Sequence, residues 1–176
     1  MTQQLYFGTF MDFIDGVEGG YVDDPRGGPT YCGIRQGYFN SWTLAHGGQL
    51  MNVAMLADHP ELIEAYYLTE YWLPTRVYDL LIAPAPALVI YDGGVNCGVD
   101  TAIKLMQQVI GTVADGRFGP VTLARYQQSF NEDGDQALAT ALIARRRQYY
   151  ESLNDPVNFQ GWMNRLARVE ARCKTL

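Results

Sequence analysis

The sequence predicts a mainly α-helical chain of about seven helices, interrupted after the first by a small β-hairpin or loop excursion. Three observations carry this. Apolar residues recur at three- and four-residue spacing through most of the chain. Dense Gly and Pro punctuation is concentrated in residues 21–42. And 48% of the 176 residues are apolar, 12% of all residues being aromatic, which supports a sizeable core without disulfide or metal staples.

The first helix carries Tyr6, Phe10, Phe13, Ile14 and Val17 on one face and should stop at Gly19-Gly20. Residues 21–42 hold Asp24-Pro25, Gly27-Gly28-Pro29, Gly33 and Gly37, so they read as a loop or small hairpin and not as a helix. A second strong helix starts at Pro60, with Leu62, Ile63, Tyr66, Tyr67 and Tyr71 inward, and Pro74 should end it. Pro84-Ala85-Pro86 opens the next. Asp100 is placed to cap a helix bearing Ala102, Ile103, Met106, Val109 and Ile110. Residues 111–118 turn around Asp115-Gly116, and Pro120 then opens a helix with Leu123, Tyr126 and Phe130. Asp135 should cap a long helix, and Asp155-Pro156 the last one, with Phe159, Trp162, Met163, Leu166 and Val169 inward.

Charge and cysteine content exclude several classes. Thirteen basic residues face nineteen acidic ones, a net charge of −6. Residues 1–100 hold 12 acids and 3 bases, whereas 101–176 hold 7 acids and 10 bases. That balance argues against nucleic acid as a partner. No apolar run reaches the length of a membrane span, so no stable insertion is expected. Cys32, Cys97 and Cys173 are odd in number and far apart, which fits a reduced compartment and no disulfide framework. His46 and His59 lie on different segments with no cysteine at ligand spacing, so no metal site is expected; no nucleotide-binding fingerprint is present, so no cofactor is expected either. The first twenty residues contain no Lys or Arg, hence no secretory n-region. Arg145-Arg146-Arg147 reads first as a solvated helix face, with contact to an anionic polymer as the alternative.

One spot suggests chemistry. Glu18 falls in the last turn of the first helix, beside the buried face. The negative end of the helix dipole and apolar neighbours such as Val17 and Tyr21 both favour its protonated form, which a general acid requires. Gly19 and Gly20 remove side chains beside it and open a path for a chain substrate. The alternative is a plain solvated helix end.

Glu18-Gly19-Gly20-Tyr21, Asp24-Pro25, Gly27-Gly28-Pro29-Thr30 and Gly33-Ile34 together resemble the opening of glycoside hydrolase family 108, the N-acetylmuramidases that include many phage endolysins. The likeness continues through Tyr71-Trp72, Tyr91-Asp92 with Asn96, Gly98 and Ala102, Asp115-Gly116 with Phe118-Gly119-Pro120, and Gly161-Trp162 with Asn164-Arg165. It implies a lysozyme-like fold, with a catalytic lobe over residues 1–90 and a peptidoglycan-binding-like helical lobe over 91–176 packed into one unit. It also implies cleavage of the β-1,4 bond between N-acetylmuramic acid and N-acetylglucosamine, with Glu18 as acid. A cytoplasmically made, monomeric endolysin acting on the wall after release is the matching expectation.

Family members commonly carry Asp directly before the Gly-Gly of the loop, where this chain has Arg26 in a segment about two residues shorter. The second catalytic group is therefore open: Asp23 or Asp24 if the loop folds back, Thr30 holding a water, or none. Gly19, Gly20, Tyr21, Tyr31, Tyr91 and Asn96 are the candidates for substrate contact, because exposed aromatic rings suit the C–H faces of sugars. Hydrolysis with inversion or retention, lytic transglycosylation, and a non-catalytic wall-binding or virion protein all remain compatible with the residues.

Overall fold

A computed structural model describes residues 3–24 and 27–176. The chain forms two compact units, one of Phe7–Glu70 and one of Tyr71–Leu176 together with the first residues through Tyr6. Among the described residues there are nine α-helical segments and a three-stranded antiparallel sheet, so the chain is mainly α.

In the Phe7–Glu70 unit, α1 (Gln3–Glu18, its first turn belonging to the other unit) buries Phe10, Met11 and Ile14 and ends where Gly19 takes φ +73°. The chain then runs into β1 (Tyr21–Asp24), β2 (Gly28–Tyr31) and β3 (Ile34–Arg35), in sheet order β1-β2-β3. The register pairs Tyr21 with Tyr31, Val22 with Thr30 and Asp24 with Gly28. Pro25 and Arg26, which carry the departure from the family pattern, lie outside the described residues.

Contrary to the loop expected through residue 42, α2 occupies Gln36–Ala45. Gly37 masks it in the sequence, but Phe39 and Thr43 bury a four-residue stripe. Gln36 anchors it, donating to Met51 O (2.9 Å) and accepting from Val53 N (2.7 Å). A 3₁₀ helix at Val53–Asp58 follows, then α3 (Pro60–Tyr67), whose Tyr66 and Tyr67 are core residues as expected.

Pro74 does not stop the helical path. A π-helical turn, Leu68–Trp72, leads into the short α4 (Leu73–Thr75), so Pro74 falls in a new first turn where its missing N–H leaves no bond unmade. Thr75 Oγ1 donates to Tyr71 O (2.5 Å) and lies 3.2 Å from Trp72 O, serving carbonyls the π turn displaces.

In the larger unit, α5 (Pro84–Cys97) is buried on every side from Ala85 to Gly94. It packs against α6 (Val99–Val109), α8 (Asp135–Ser152) and α9 (Phe159–Cys173), with α7 (Pro120–Asp133) lying on α8. A helix apolar all round can only be a central one. The caps differ from expectation. Gly98 and Gly134 precede α6 and α8, while Asp100 and Asp135 sit one step inside. There Asp100 pairs with Lys104 at 2.7 Å, and Asp135 accepts from Ala85 N at 3.3 Å. Asp155 accepts from the N–H groups of Val157 and Asn158 in a turn, so α9 starts at Phe159 and not at Pro156.

Candidate active site

Glu18 is the last residue of α1 and is half-buried. Its surroundings follow from the hairpin. Strand pairing continues past Tyr21–Tyr31 into a Cys32 N–H to Gly20 O bond of 3.3 Å, which draws the Cys32-Gly33 turn back beside the helix end. Tyr67, from α3, donates its hydroxyl to Cys32 O at 2.7 Å and fixes that peptide. Cys32 itself sits at φ +45°, a strained conformation for a residue with a side chain.

Gly33 is the tightest point. A Cβ there would lie 2.5 Å from Glu18 Oε2 and 3.0 Å from the Tyr67 hydroxyl oxygen. Backbone, carboxyl and phenol thus converge on one spot, and a side chain at residue 33 is excluded by space as well as by its φ of +73°. The Glu18 carboxyl packs closely against the main chain at Gly33.

Asp15, one turn earlier on α1, was missed by the sequence reasoning. Partial desolvation, then the carboxylates of Asp12 and Glu64, push its carboxyl above the usual carboxylate range although the residue remains solvent-accessible. The signal was legible: Asp12, Asp15 and Glu18 are spaced three apart on one helix. Burial, then the charges of Asp15 and Glu18, raise the Cys32 thiol to about 11, so it is not a thiolate nucleophile at neutral pH.

The other candidates are distributed unevenly. Tyr21 is 50% exposed at the start of β1, and Tyr31 pairs with it across the strands and is half-buried. Directly opposed residues of an antiparallel pair share a face, so these two rings stand on the same side of the hairpin, opposite to Val22 and Thr30. Thr30 Oγ1 donates to Gly28 O at 3.2 Å, which commits its proton locally and leaves only its lone pairs for a water. Asp23 is exposed; Asp24 is placed by its backbone at the last position of β1, and its side chain lies outside what is described.

Two substrate-contact candidates need correction. Tyr91 is 0% exposed and meets Trp72 edge-on at 5.6 Å, so it packs the interior of the larger unit and offers no face to a sugar. Asn96 Oδ1 accepts from Tyr150 Oη at 2.5 Å, and Arg146 Nη2 is 3.5 Å away, so it serves a buried network. That network centres on Asp92, fully buried, whose carboxylate meets Arg146 at 2.6 Å and Arg165 at 2.8 Å. Burial opposes charge on Arg146, but Asp92, ahead of Tyr150 and Cys97, keeps the guanidinium's affinity for its proton above the ordinary value.

The arginine run is therefore not one solvated face. Arg145 donates to Gln108 Oε1 at 2.8 Å, Arg146 is 2% exposed, and only Arg147 is fully open to solvent.

Comparison with known proteins defines the class of this chain. Residues 11–98, half the chain, match the family described as glycosyl hydrolase 108, and the chain belongs to that family. Residues 101–167 match the family described as a predicted peptidoglycan domain. Among solved structures, SagA of Brucella abortus is similar, with 25% identity, a TM-score of 0.80, and coverage of 98% of this chain and 95% of that one. No match was found among curated proteins. The chain is accordingly a glycoside hydrolase with a peptidoglycan-binding segment, acting on peptidoglycan.

Proposed function

We propose that this chain is an N-acetylmuramidase that cleaves the β-1,4 bond between N-acetylmuramic acid and N-acetylglucosamine, with Glu18 as the general acid. The observation that carries this is the seating of the Glu18 carboxyl against the Cα of Gly33, with the Tyr67 phenol at the same point. Glycosidic cleavage requires a proton delivered to the leaving oxygen as the bond breaks, while charge develops on the sugar ring. An acid held by main chain and a phenol keeps its aim through that step. Tyr21 and Tyr31, on one face of the hairpin, supply rings for adjacent sugars.

The attacking water requires a partner, for which Asp24, Thr30 and Asp15 are the candidates. Thr30's local hydrogen bond favours a second reading, lytic transglycosylation, in which the substrate's own C6 hydroxyl replaces water and one acid/base group suffices. The biological setting that fits is a phage or prophage endolysin, made in the cytoplasm and reaching the wall after the inner membrane is opened.

Digestion of purified sacculi followed by mass spectrometry tests the reading. New reducing N-acetylmuramic acid ends are expected, and Glu18→Gln should remove them by a factor of about a hundred to ten thousand with the fold retained. Anhydro ends would establish the transglycosylase. Reducing N-acetylglucosamine ends would replace the muramidase with a glucosaminidase, and a Glu18→Gln protein keeping more than a tenth of the activity would remove Glu18 from the role.

A further inference from the structure

We propose that the seam between α8 and α9 is a second peptidoglycan site that takes the stem peptide rather than the glycan, through Arg147 and Glu151. The proposal rests on peptidoglycan being the substrate, and all its geometry lies within the larger unit.

Two cavities open along this seam. One, of about 440 Å³, is lined by Thr140, Ile143, Ala144, Arg147, Glu151 and Glu170 among others. The other, of about 520 Å³, is lined by Tyr150, Glu151, Asn154, Pro156, Phe159 and Gln160 among others. Glu151 lines both, so they adjoin along the same helix. Each is within the range of about 300–1,000 Å³ usual for small-ligand sites. Tyr150 backs the second of them. The Tyr150 ring stacks on Trp162 at 5.0 Å, and its hydroxyl accepts from Arg146 Nε at 2.6 Å while donating to Asn96.

The charges decide the ligand class. Glu170 is paired with Lys174 at 3.1 Å, and Asp155 is bound into the turn before α9. Arg147 and Glu151 make no side-chain hydrogen bond or ion pair among the described residues. They lie four residues apart, about 6 Å along the helix, with the cation N-terminal to the anion. That is the weaker order for a helical pair, which leaves both groups to an outside partner. A guanidinium and a carboxylate side by side, with Phe159 and Pro156 beyond, complement a peptide bearing both a carboxylate and an ammonium group. Uncrosslinked stem peptides ending in or containing a diamino acid have both. Glycan strands stripped of peptide have no ammonium group and give Glu151 nothing to bind. A second, linked contact of this kind raises the local concentration of the hydrolase on its polymer without taking part in cleavage.

The test uses the full chain carrying Glu18→Gln, so that the wall is not digested, and cosedimentation with two forms of sacculi. One form is intact; the other has been stripped of stem peptides by an amidase and, because the freed strands are no longer cross-linked and would not sediment, is coupled to beads. The parent should bind intact sacculi at least fivefold more tightly than stripped ones. Arg147→Ala and Glu151→Gln should each weaken binding to intact sacculi severalfold, and Glu151→Gln should leave binding to the stripped strands unchanged. Both residues are exposed, so folding should persist, and melting curves verify it. The double exchange Arg147→Glu with Glu151→Arg keeps net charge but creates the favourable helical order; by pairing with itself it should bind as weakly as the single variants.

Equal binding of the parent to both forms, or variants that bind intact sacculi like the parent, would overturn the proposal. So would an absence of any binding. The hydrolase reading is judged separately, by new chain ends from intact sacculi with Glu18 restored. If those fail to form while the binding pattern holds, that reading falls and this site stands.

Discussion

The two compact units each hold a carboxylate at a structurally critical place, and they treat it in opposite ways. In residues 7–70, nine acids face two bases, and Glu18 ends a helix half-open, held by the Gly33 main chain. In residues 71–176, ten acids face eleven bases, and Asp92 is buried completely between two guanidinium groups. Removing either side of such a cluster strands buried charge. The Glu18 carboxyl instead keeps part of its surface open to solvent. The difference is between a carboxylate locked into a buried charge cluster and one left partly open at a helix end, although both lie within the segment that matches one family.

The comparison is broken most severely at Asp92. Asp92→Asn should destabilise the chain by about 3–5 kcal/mol, since it leaves the buried Arg146 and the partly buried Arg165 without their counter-charge. Activity per folded molecule at low temperature should remain close to that of the parent. Denaturant melts alongside sacculus digestion check both halves. A large loss of turnover in fully folded protein would mean that the buried cluster also serves the reaction.

The reverse pattern is expected at the brace around Glu18. Gly33→Ala introduces a Cβ into the space of the carboxyl and forces a positive φ on alanine, so turnover should fall by at least tenfold. The backbone cost is on the order of 1 kcal/mol. Tyr67→Phe removes the hydrogen bond to Cys32 O and should cost about 1 kcal/mol of stability. Its effect on turnover should be smaller than that of Gly33→Ala and should appear in kcat rather than KM. Loss confined to KM would assign Tyr67 to substrate contact instead.

Much of this was legible in the sequence because it is written locally. The end of α1 follows from apolar spacing and paired glycines, and Glu18 from its place in that turn. Tyr66 and Tyr67 could be assigned to the core from helical periodicity. What was not legible depends on chain segments far apart. Nothing near Arg146 says that it is buried; only the arrival of Asp92, 54 positions earlier, makes that tolerable. Tyr91 and Asn96 looked like site residues because of the motif around them, yet the central α5 buries Tyr91, and Tyr150, 54 positions later, engages the half-buried Asn96. α2 was hidden for the opposite reason, since Gly37 gave a strong local breaker signal that burial of Phe39 and Thr43 overrides.

The smallest expected effect concerns Asp15, and it sharpens the comparison because its sign is fixed. Desolvation and the neighbouring charges of Asp12 and Glu64 raise its carboxyl in the folded chain above the unfolded value near 3.8. Between those two values the folded state binds more protons than the unfolded state, so stability falls as pH rises through that window. Above it, ionised Asp15 is a fixed liability; below about 3.8 the liability is absent. Asp15→Asn should therefore raise the melting temperature slightly at pH 7 and leave it unchanged at the acid end of the window. The same variant asks whether Asp15 acts beside Glu18. If it only crowds the helix, turnover per folded molecule should stay within about twofold of the parent and the acid limb of the pH–rate profile should not move. If it orients the attacking water, turnover should fall as general-base losses do, by about a hundredfold or more, while the protein becomes more stable. Greater stability with lower activity is the signature of a strained catalytic group, and packing alone would not produce it.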